Sequence, residues 1–448
     1  MSTIATGGSD FGRKHVARGI GRLTDHVIQS GKGSYITLND GRGEYLDFTS
    51  GIGVTGLGHC HPKVSQAAAD QCFTLVHGQV SIAFHKPYLN LIERLLPVMP
   101  HPSLDSFFFW NSGSEAIEAA IKLVRTKTGR PNIITMQGGY HGRTFGAMAL
   151  TRSKTVYSQG VAPLMPGVFT TPFPYWHQMG VSPTTSEEEI SRQALYQLEL
   201  VLLQQSAPAD TAAILIEPVL GEGGYVPAPP AFLRGLREIA DKNKLLLIFD
   251  EVQCGFGRTG KYFASEYSGV VPDVLVIAKG LANGFPLSGI VSRKEITDSQ
   301  SSGSMGGTYA GNAVACAAAT ASAEVMQEEK VLHNVSVRSA ELFAALDELR
   351  KEPEVSPHIL DVRGVGLMVG VEFSSPSQST NDPFAAPNGL PNLAARISKR
   401  CQEKGLFILT TSLYQVIRFV PPLNITQADM AKGLSIFREA VREVVRES

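Results

Sequence analysis

Two charged residues stand where charge is costly, each at the end of an apolar run. Leu245–Phe249 reads LLLIF and closes on Asp250, and Val274–Ala278 reads VLVIA and closes on Lys279. Short runs of this kind suit buried strands, and ligands of open α/β sheets sit beyond the carboxyl ends of the strands. The pattern places a carboxylate and an amine at one rim of one sheet. A lysine at the end of a buried run must pair or lose its proton. A desolvated amine that can deprotonate is a nucleophile for carbonyl carbon. Taken alone, the two residues are equally well read as an ion pair closing a sheet edge.

Neighbouring motifs change that balance. Asn111-Ser-Gly-Ser-Glu115 follows a strand and opens a helix. Ser112 and Glu115 match a capping box, and the same terminus, with Ser112, Gly113 and Ser114, offers backbone N–H groups to a phosphate. Gly138-Gly-Tyr-His-Gly-Arg143 follows the next strand at the same rim. Tyr140 can stack on a flat ring and Arg143 can clamp a carboxylate. Singly, these read as a helix cap, a loop aromatic and a surface arginine. A phosphate cradle, an aromatic plate, an anion and a lysine at one rim together meet the needs of pyridoxal 5′-phosphate.

The elements that must hold these residues alternate. Strands are predicted at 106–110, 132–136, 212–216, 245–249, 274–278 and 287–292, with helices at 114–126, 187–205, 230–243 and 313–327 between or after them. This alternation predicts an α/β fold with a mostly parallel sheet covered on both faces. Residues 151–190 read as an irregular excursion, and a short helix is expected at Ala17–Ile28. The tail is expected to hold helices at 331–350, 393–404 and 427–445 and strands at 364–373, 406–410 and 417–420. The domains are expected at 1–60 (an N-terminal arm and part of a small domain), 61–330 (a large cofactor-binding domain) and 331–448 (a smaller α/β domain).

Composition excludes several other classes. The chain has 448 residues, 43% hydrophobic and 18% charged, with a net charge of −1. Nothing in that balance marks a nucleic-acid partner. Five cysteines lack CxxC spacing, which fits free thiols in a reducing compartment. His59 and His61 lack a third ligand nearby, so no metal site is expected. No apolar run approaches the roughly 20 residues of a membrane span. The N-terminus lacks the apolar core of a secretory signal, and Asp10 and Asp25 weaken a mitochondrial presequence reading, so a cytoplasmic protein is expected.

The ordered set NSGSEA, GGYHGRT, IEPVLGEGG, DEVQCGFGRTG, AKGLANGFP, GGTYAGN and DVRGVGLM resembles the class III aminotransferases. That group has the aspartate-aminotransferase-like fold (PLP fold type I) and includes the 4-aminobutyrate, acetylornithine and ornithine aminotransferases. The resemblance covers nearly the whole chain. It implies that Lys279 forms the Schiff base with pyridoxal 5′-phosphate and carries the proton, while Asp250 pairs with the pyridine nitrogen. It implies that Val252 packs behind the ring opposite Tyr140, that Gln253 bonds the phenolic oxygen, and that Ser112, Gly113 and Ser114 hold the phosphate. His141 joins them in binding the cofactor. Ile52, Arg143, Glu217 and Arg418 are the implied substrate residues. Glu217 would pair with Arg418 when no α-carboxylate is present, and Arg143 would hold the distal carboxylate. Thr308 would reach the neighbour's cofactor phosphate in a homodimer or tetramer.

The expected reaction moves an amino group from an ω-amino acid resembling 4-aminobutyrate to a 2-oxo acid such as 2-oxoglutarate, by a ping-pong mechanism. The alternatives are an acetylornithine or ornithine donor, or racemisation or decarboxylation on the same scaffold. A catalytically silent relative would be expected to lose Lys279 or Asp250, and both are present. Asn283 departs from the small residue common at its place, which leaves the chemistry intact and the substrate open.

Overall fold

The computed structural model describes residues 8–374, 393–411 and 413–447. Seven strands make the central sheet: β1 (Ser106–Trp110), β2 (Asn132–Met136), β3 (Val168–Thr171), β4 (Thr211–Ile216), β5 (Leu246–Asp250), β6 (Val274–Ile277) and β7 (Ser288–Ser292). Their spatial order is β1-β7-β6-β5-β4-β2-β3. Only β7 runs antiparallel to its neighbours. The carboxyl ends of the other six therefore share one rim.

Near-continuous apolar strands require cover on both faces. On one face the Gly113–Thr128 helix lays Ala116, Ile117, Ala120 and Val124 over Ile248, Val274 and Val276. On the other, Phe173, Phe232 and Leu236 pack on Leu247, Phe249 and Leu275. A second core joins Phe48, Val335, Leu342, Leu346, Phe437 and Val441. It lies against the antiparallel strands β8 (Ile359–Val365), β9 (Met368–Phe373), β10 (Leu409–Thr410) and β11 (Val416–Phe419), in the order β8-β9-β11-β10. Leu406–Phe407 leaves that unit and pairs with Glu44–Asp47 near the N-terminus.

Four sequence expectations are corrected. The short helix is at Ser9–His15, and Ala17–Ile28 is not helical. Gly19 and Gly21 weaken a helix there by about 1 kcal/mol each, and Ile20 and Leu23 are exposed, so no packing compensates. The excursion at 151–190 contains β3, an edge strand of four residues. Residues 364–373 are not one strand: Gly364 and Gly366, both at positive φ, fold the chain into the β8–β9 hairpin. Gly366 lies so close to the Thr259 backbone that a side chain there would collide with it. Residues 406–410 divide at Ile408 between two sheets.

Candidate active site

The rim of the central sheet carries the chemistry because the parallel strands end there together. Phe249 of β5 pairs with Ile216 of β4, and Asp250 with Val276 of β6. Asp250 thus ends β5, Glu217 follows β4 directly, and Lys279 lies three residues past the partner of Asp250. A cavity of about 310 Å³ opens there, which is within the range of small-ligand pockets. It is lined by Ser112, Gly113, Ser114, Tyr140, His141, Glu217, Asp250, Val252, Gln253 and Lys279, with Asn111 and Phe285 beside them.

Asp250 is 4% exposed and fully engaged on its protein side. Its Oδ1 accepts from the Val252 N–H at 3.0 Å, and its Oδ2 is 2.7 Å from His141 Nδ1. His141 is itself buried, and its backbone N–H donates to Thr151 Oγ1 at 2.9 Å. Its Nε2 has no partner among the described residues. The carboxylate is therefore fixed in place before any ligand arrives. Enclosure of the Lys279 amine lowers its pKa, against the pull of Asp250 and Glu217. That cause favours the neutral amine a nucleophile needs.

The anion end of the cavity is the start of the Gly113–Thr128 helix. The Ser112 hydroxyl and the Glu115 carboxylate form a reciprocal capping box there. A Cβ on Gly113 would sit 3.2 Å from Val252 Cγ1, so glycine keeps Val252 and the helix terminus close. The open N–H groups of the first turn and the helix dipole suit a phosphate.

The Gln253 side chain is held by the Tyr225 hydroxyl, which donates to Gln253 Oε1 at 2.6 Å. Tyr140 packs edge-on against Tyr157 at 5.4 Å. Arg143 lies over Tyr157 at 4.4 Å and over Tyr140 at 5.8 Å, with its guanidinium at the exposed side of the site. Ile52, 44% exposed, lies in the Ser50–Gly53 turn, where all four residues have positive φ. Ser50 Oγ ties that turn to the Val420 carbonyl at 2.7 Å. Asn283, also at positive φ, accepts from Leu57 N–H and donates to Gly58 O. Thr308 is exposed, outside the cavity of its own chain.

The expected Glu217–Arg418 pair does not form. Glu217 accepts from the backbone N–H groups of Tyr140 at 2.9 Å and Gly221 at 3.1 Å, and burial beside Asp250 pushes its pKa up to about 7. Arg418 instead pairs with Glu222, Nη1 to Oε1 at 3.0 Å. The reason is the turn at Gly221: it ties Glu217 back to its own strand end and carries Glu222 out to β11. Burial pushes the Glu222 carboxyl up, but Arg418, Lys154 and Lys279 more than offset this and hold it below the usual carboxylate range. Glu222, Tyr157 and Tyr225 are the site residues that sequence reasoning missed. Glu222 stood in the quoted motif IEPVLGEGG as a second acid five residues beyond the first.

A family model for class-III aminotransferases matches residues 16–441. The chain belongs to the class-III aminotransferases. It is 38% identical over 431 residues to the 5-aminovalerate aminotransferase DavT of Pseudomonas putida, covering 96% of each chain. It is also 38% identical to the 4-aminobutyrate aminotransferase GabT of Escherichia coli, again over 96% of each chain. Among solved structures, the ω-transaminase of Pseudomonas jessenii in complex with PMP superposes with a TM-score of 0.86 at 27% identity, covering 94% of this chain and 93% of that one. Aminotransferases of this class use pyridoxal 5′-phosphate, and the residues present fit it. They supply a helix N-terminus for an anion, a buried carboxylate for a protonated ring nitrogen and an enclosed amine for an aldehyde.

Proposed function

We propose that this aminotransferase moves an amino group from an ω-amino acid of the 4-aminobutyrate or 5-aminovalerate type to a 2-oxo acid such as 2-oxoglutarate. The observation that carries this reading is the pair that buried Arg418 makes with partly buried Glu222 near Lys279. An ω-amino donor has no carboxylate beside its reacting amine, so Arg418 needs a counter-ion of the protein's own. Glutamate brings an α-carboxylate, which takes Arg418 and displaces Glu222. One pocket thus serves both half-reactions. Arg143, at the mouth over Tyr140 and Tyr157, holds the distal carboxylate common to both substrates, and Ile52 borders the substrate's chain. Relatives that are 5-aminovalerate and 4-aminobutyrate aminotransferases support the donor class.

Bound pyridoxal 5′-phosphate supplies an aldehyde that takes up the amino group and a protonated ring that withdraws electrons. Lys279 would hold the cofactor through its amine and would take the proton from the substrate carbon. Asp250, oriented by His141, would keep the ring nitrogen protonated. Tyr140 and Val252 would confine the ring, Gln253 would bond its phenolic oxygen, and Ser112, Gly113 and Ser114 would hold the phosphate.

The working form is proposed as a homodimer with a shared site. Thr308 lies exposed on the loop before the Ala313–Glu328 helix and does not line its own chain's cavity, which supports a role toward a neighbour. Phe73, Ile82 and Phe84 are 94%, 85% and 75% exposed, large apolar side chains that a monomer would leave in water. The core on the central sheet supports a large unit at about 61–330, and the second core, which also takes in Val64, Ala68, Ala318, Val325 and Met326, supports a smaller unit built mainly from about 331–448. Among the described residues no helix is long and apolar enough to cross a membrane, and the five cysteines are free thiols. The free thiols support a cytoplasmic protein. A donor screen with 2-oxoglutarate and with pyruvate, reading glutamate and alanine separately, tests the reading. Glutamate formed from 4-aminobutyrate or 5-aminovalerate is expected. Turnover confined to acetylornithine or ornithine, or none at all, overturns it.

A further inference from the structure

Glu222 is carried by a strained turn whose far end is gripped by the C-terminal sheet. Gly221 N–H donates to Glu217 at 3.1 Å and fixes the near end. Gly224 and Tyr225 both have positive φ, 137° and 55°. A tyrosine at positive φ persists only where its surroundings impose it. One restraint is its hydroxyl on Gln253. The other is Arg363, which donates to the Gly224 carbonyl twice, from Nε at 3.0 Å and Nη2 at 2.8 Å.

Arg363 spends its whole donor set on this one junction. Its Nη1 donates to Asp361 Oδ2 at 3.0 Å and Glu372 Oε2 at 2.5 Å, and its Nη2 also donates to the Tyr175 hydroxyl at 3.0 Å. These contacts account for all five guanidinium N–H groups. Glu372 is fixed in turn by the Tyr175 hydroxyl at 2.8 Å and by His177 Nε2 at 2.5 Å, and the His177 ring stacks on Tyr414 at 4.0 Å. Glu372 lies on β9, whose Gly370 pairs with Arg418 on β11. A Cβ on Gly370 would meet Tyr225 Cβ at 3.2 Å and the Gly224 carbonyl at 3.3 Å, so the turn rests directly on the strand beside Arg418. The frame that presents Arg418 also holds the backbone that presents Glu222.

We infer that Arg363 is a positioning residue for substrate choice: by gripping the Gly224 carbonyl it sets how well Glu222 meets Arg418, and so how well the site accepts a donor without an α-carboxylate. This rests on the reading in which Glu222 serves as counter-ion to Arg418 for ω-amino donors only. Arg363 touches no substrate. Its loss leaves glutamate with its own carboxylate for Arg418, whereas an ω-amino donor faces a buried guanidinium poorly matched.

The test compares the two half-reactions separately, with 4-aminobutyrate and with glutamate, in the wild-type holoenzyme and in Arg363→Gln, Arg363→Lys and Glu222→Gln. A double variant, Arg363→Gln with Glu372→Gln, leaves no buried carboxylate without its cation and serves if the single variant fails to fold. For Arg363→Gln, kcat/KM with 4-aminobutyrate is expected to fall about tenfold or more, and that with glutamate by less than about threefold. Arg363→Lys, which keeps the charge but loses the fork, is expected to fall between wild type and Arg363→Gln. Equal losses in both half-reactions, or none, while Glu222→Gln still shifts the ratio, overturn the role of Arg363. An unchanged ratio in Glu222→Gln overturns the counter-ion reading beneath it.

Discussion

Asp250→Asn separates electrostatics from architecture because the site can keep its hydrogen bonds without the charge. The Asn oxygen still accepts from Val252 N–H, where Asp250 Oδ1 lies at 3.0 Å. The amide then faces His141 Nδ1, where Oδ2 lies at 2.7 Å. His141 can accept there by carrying its proton on Nε2, which has no other partner among the described residues. The fold exchanges a charge-assisted hydrogen bond of about 1.5–3 kcal/mol for a neutral one of about 0.5–1.5 kcal/mol, and relief of a buried charge offsets part of that. Stability should move by about 1 kcal/mol or less. The reaction loses its fixed anion, and one preorganised electrostatic group is worth about 2.7–4 kcal/mol, or about 10²–10³ in rate. Single-turnover rates with a saturating amino donor, beside urea unfolding of the same samples, measure both quantities. A rate within about threefold of wild type would show that Asp250 only closes the sheet. A rate loss matched by an equal loss of stability would show a structural role.

Lys279→Ala should abolish transamination, because attachment and proton transfer use one amine; turnover comparable with wild type contradicts the assignment. Arg418→Ala should impair the glutamate half-reaction far more than the 4-aminobutyrate half-reaction, with some general loss because Glu222 loses its Arg418 counter-charge, at a cost of up to about 3–5 kcal/mol. Equal rate losses would defeat the exchange of partners. Glu251, buried and accepting from the Ala264 and Ser265 N–H groups, has its carboxyl pushed by burial from an ordinary 4.5 up to about 7. A carboxyl raised in this way binds more protons in the folded state, so its stabilising contribution is present at low pH and lost as pH rises through that window. The cost of Glu251→Gln in urea unfolding should therefore be smaller near pH 8 than near pH 5, and the opposite order contradicts this account. If the site is shared, specific activity should fall in step with dimer dissociation on dilution, and full activity in a monomer refutes it.

The rim was legible because its signals are local. A buried apolar run that ends in Asp250 or Lys279 announces both the strand and the strained charge, and the capping box at Ser112 marks the helix start from sequence alone. The partner of Arg418 was not legible. Glu217 and Glu222 are both acids after one strand, and the choice between them depends on a turn with two positive-φ residues. The edge strand Val168–Thr171 was hidden for a related reason. It has four residues in a Pro- and Gly-rich stretch, and pairing with Asn132–Met136 decides its structure more than its own pattern does. Arg363 was visible only as part of a motif, because its role consists of contacts to Gly224, Tyr175 and Glu372, the nearest of them nine residues away and the others well over a hundred.

The movement of nitrogen itself tests the central claim most directly. The holoenzyme is incubated with ¹⁵N-labelled 4-aminobutyrate and unlabelled 2-oxoglutarate, and the label in glutamate is followed by mass spectrometry beside the semialdehyde formed. The account predicts labelled glutamate in a one-to-one ratio with semialdehyde, and none with Lys279→Ala. Semialdehyde without labelled glutamate, or no product from either 4-aminobutyrate or 5-aminovalerate with any 2-oxo acid, would contradict it.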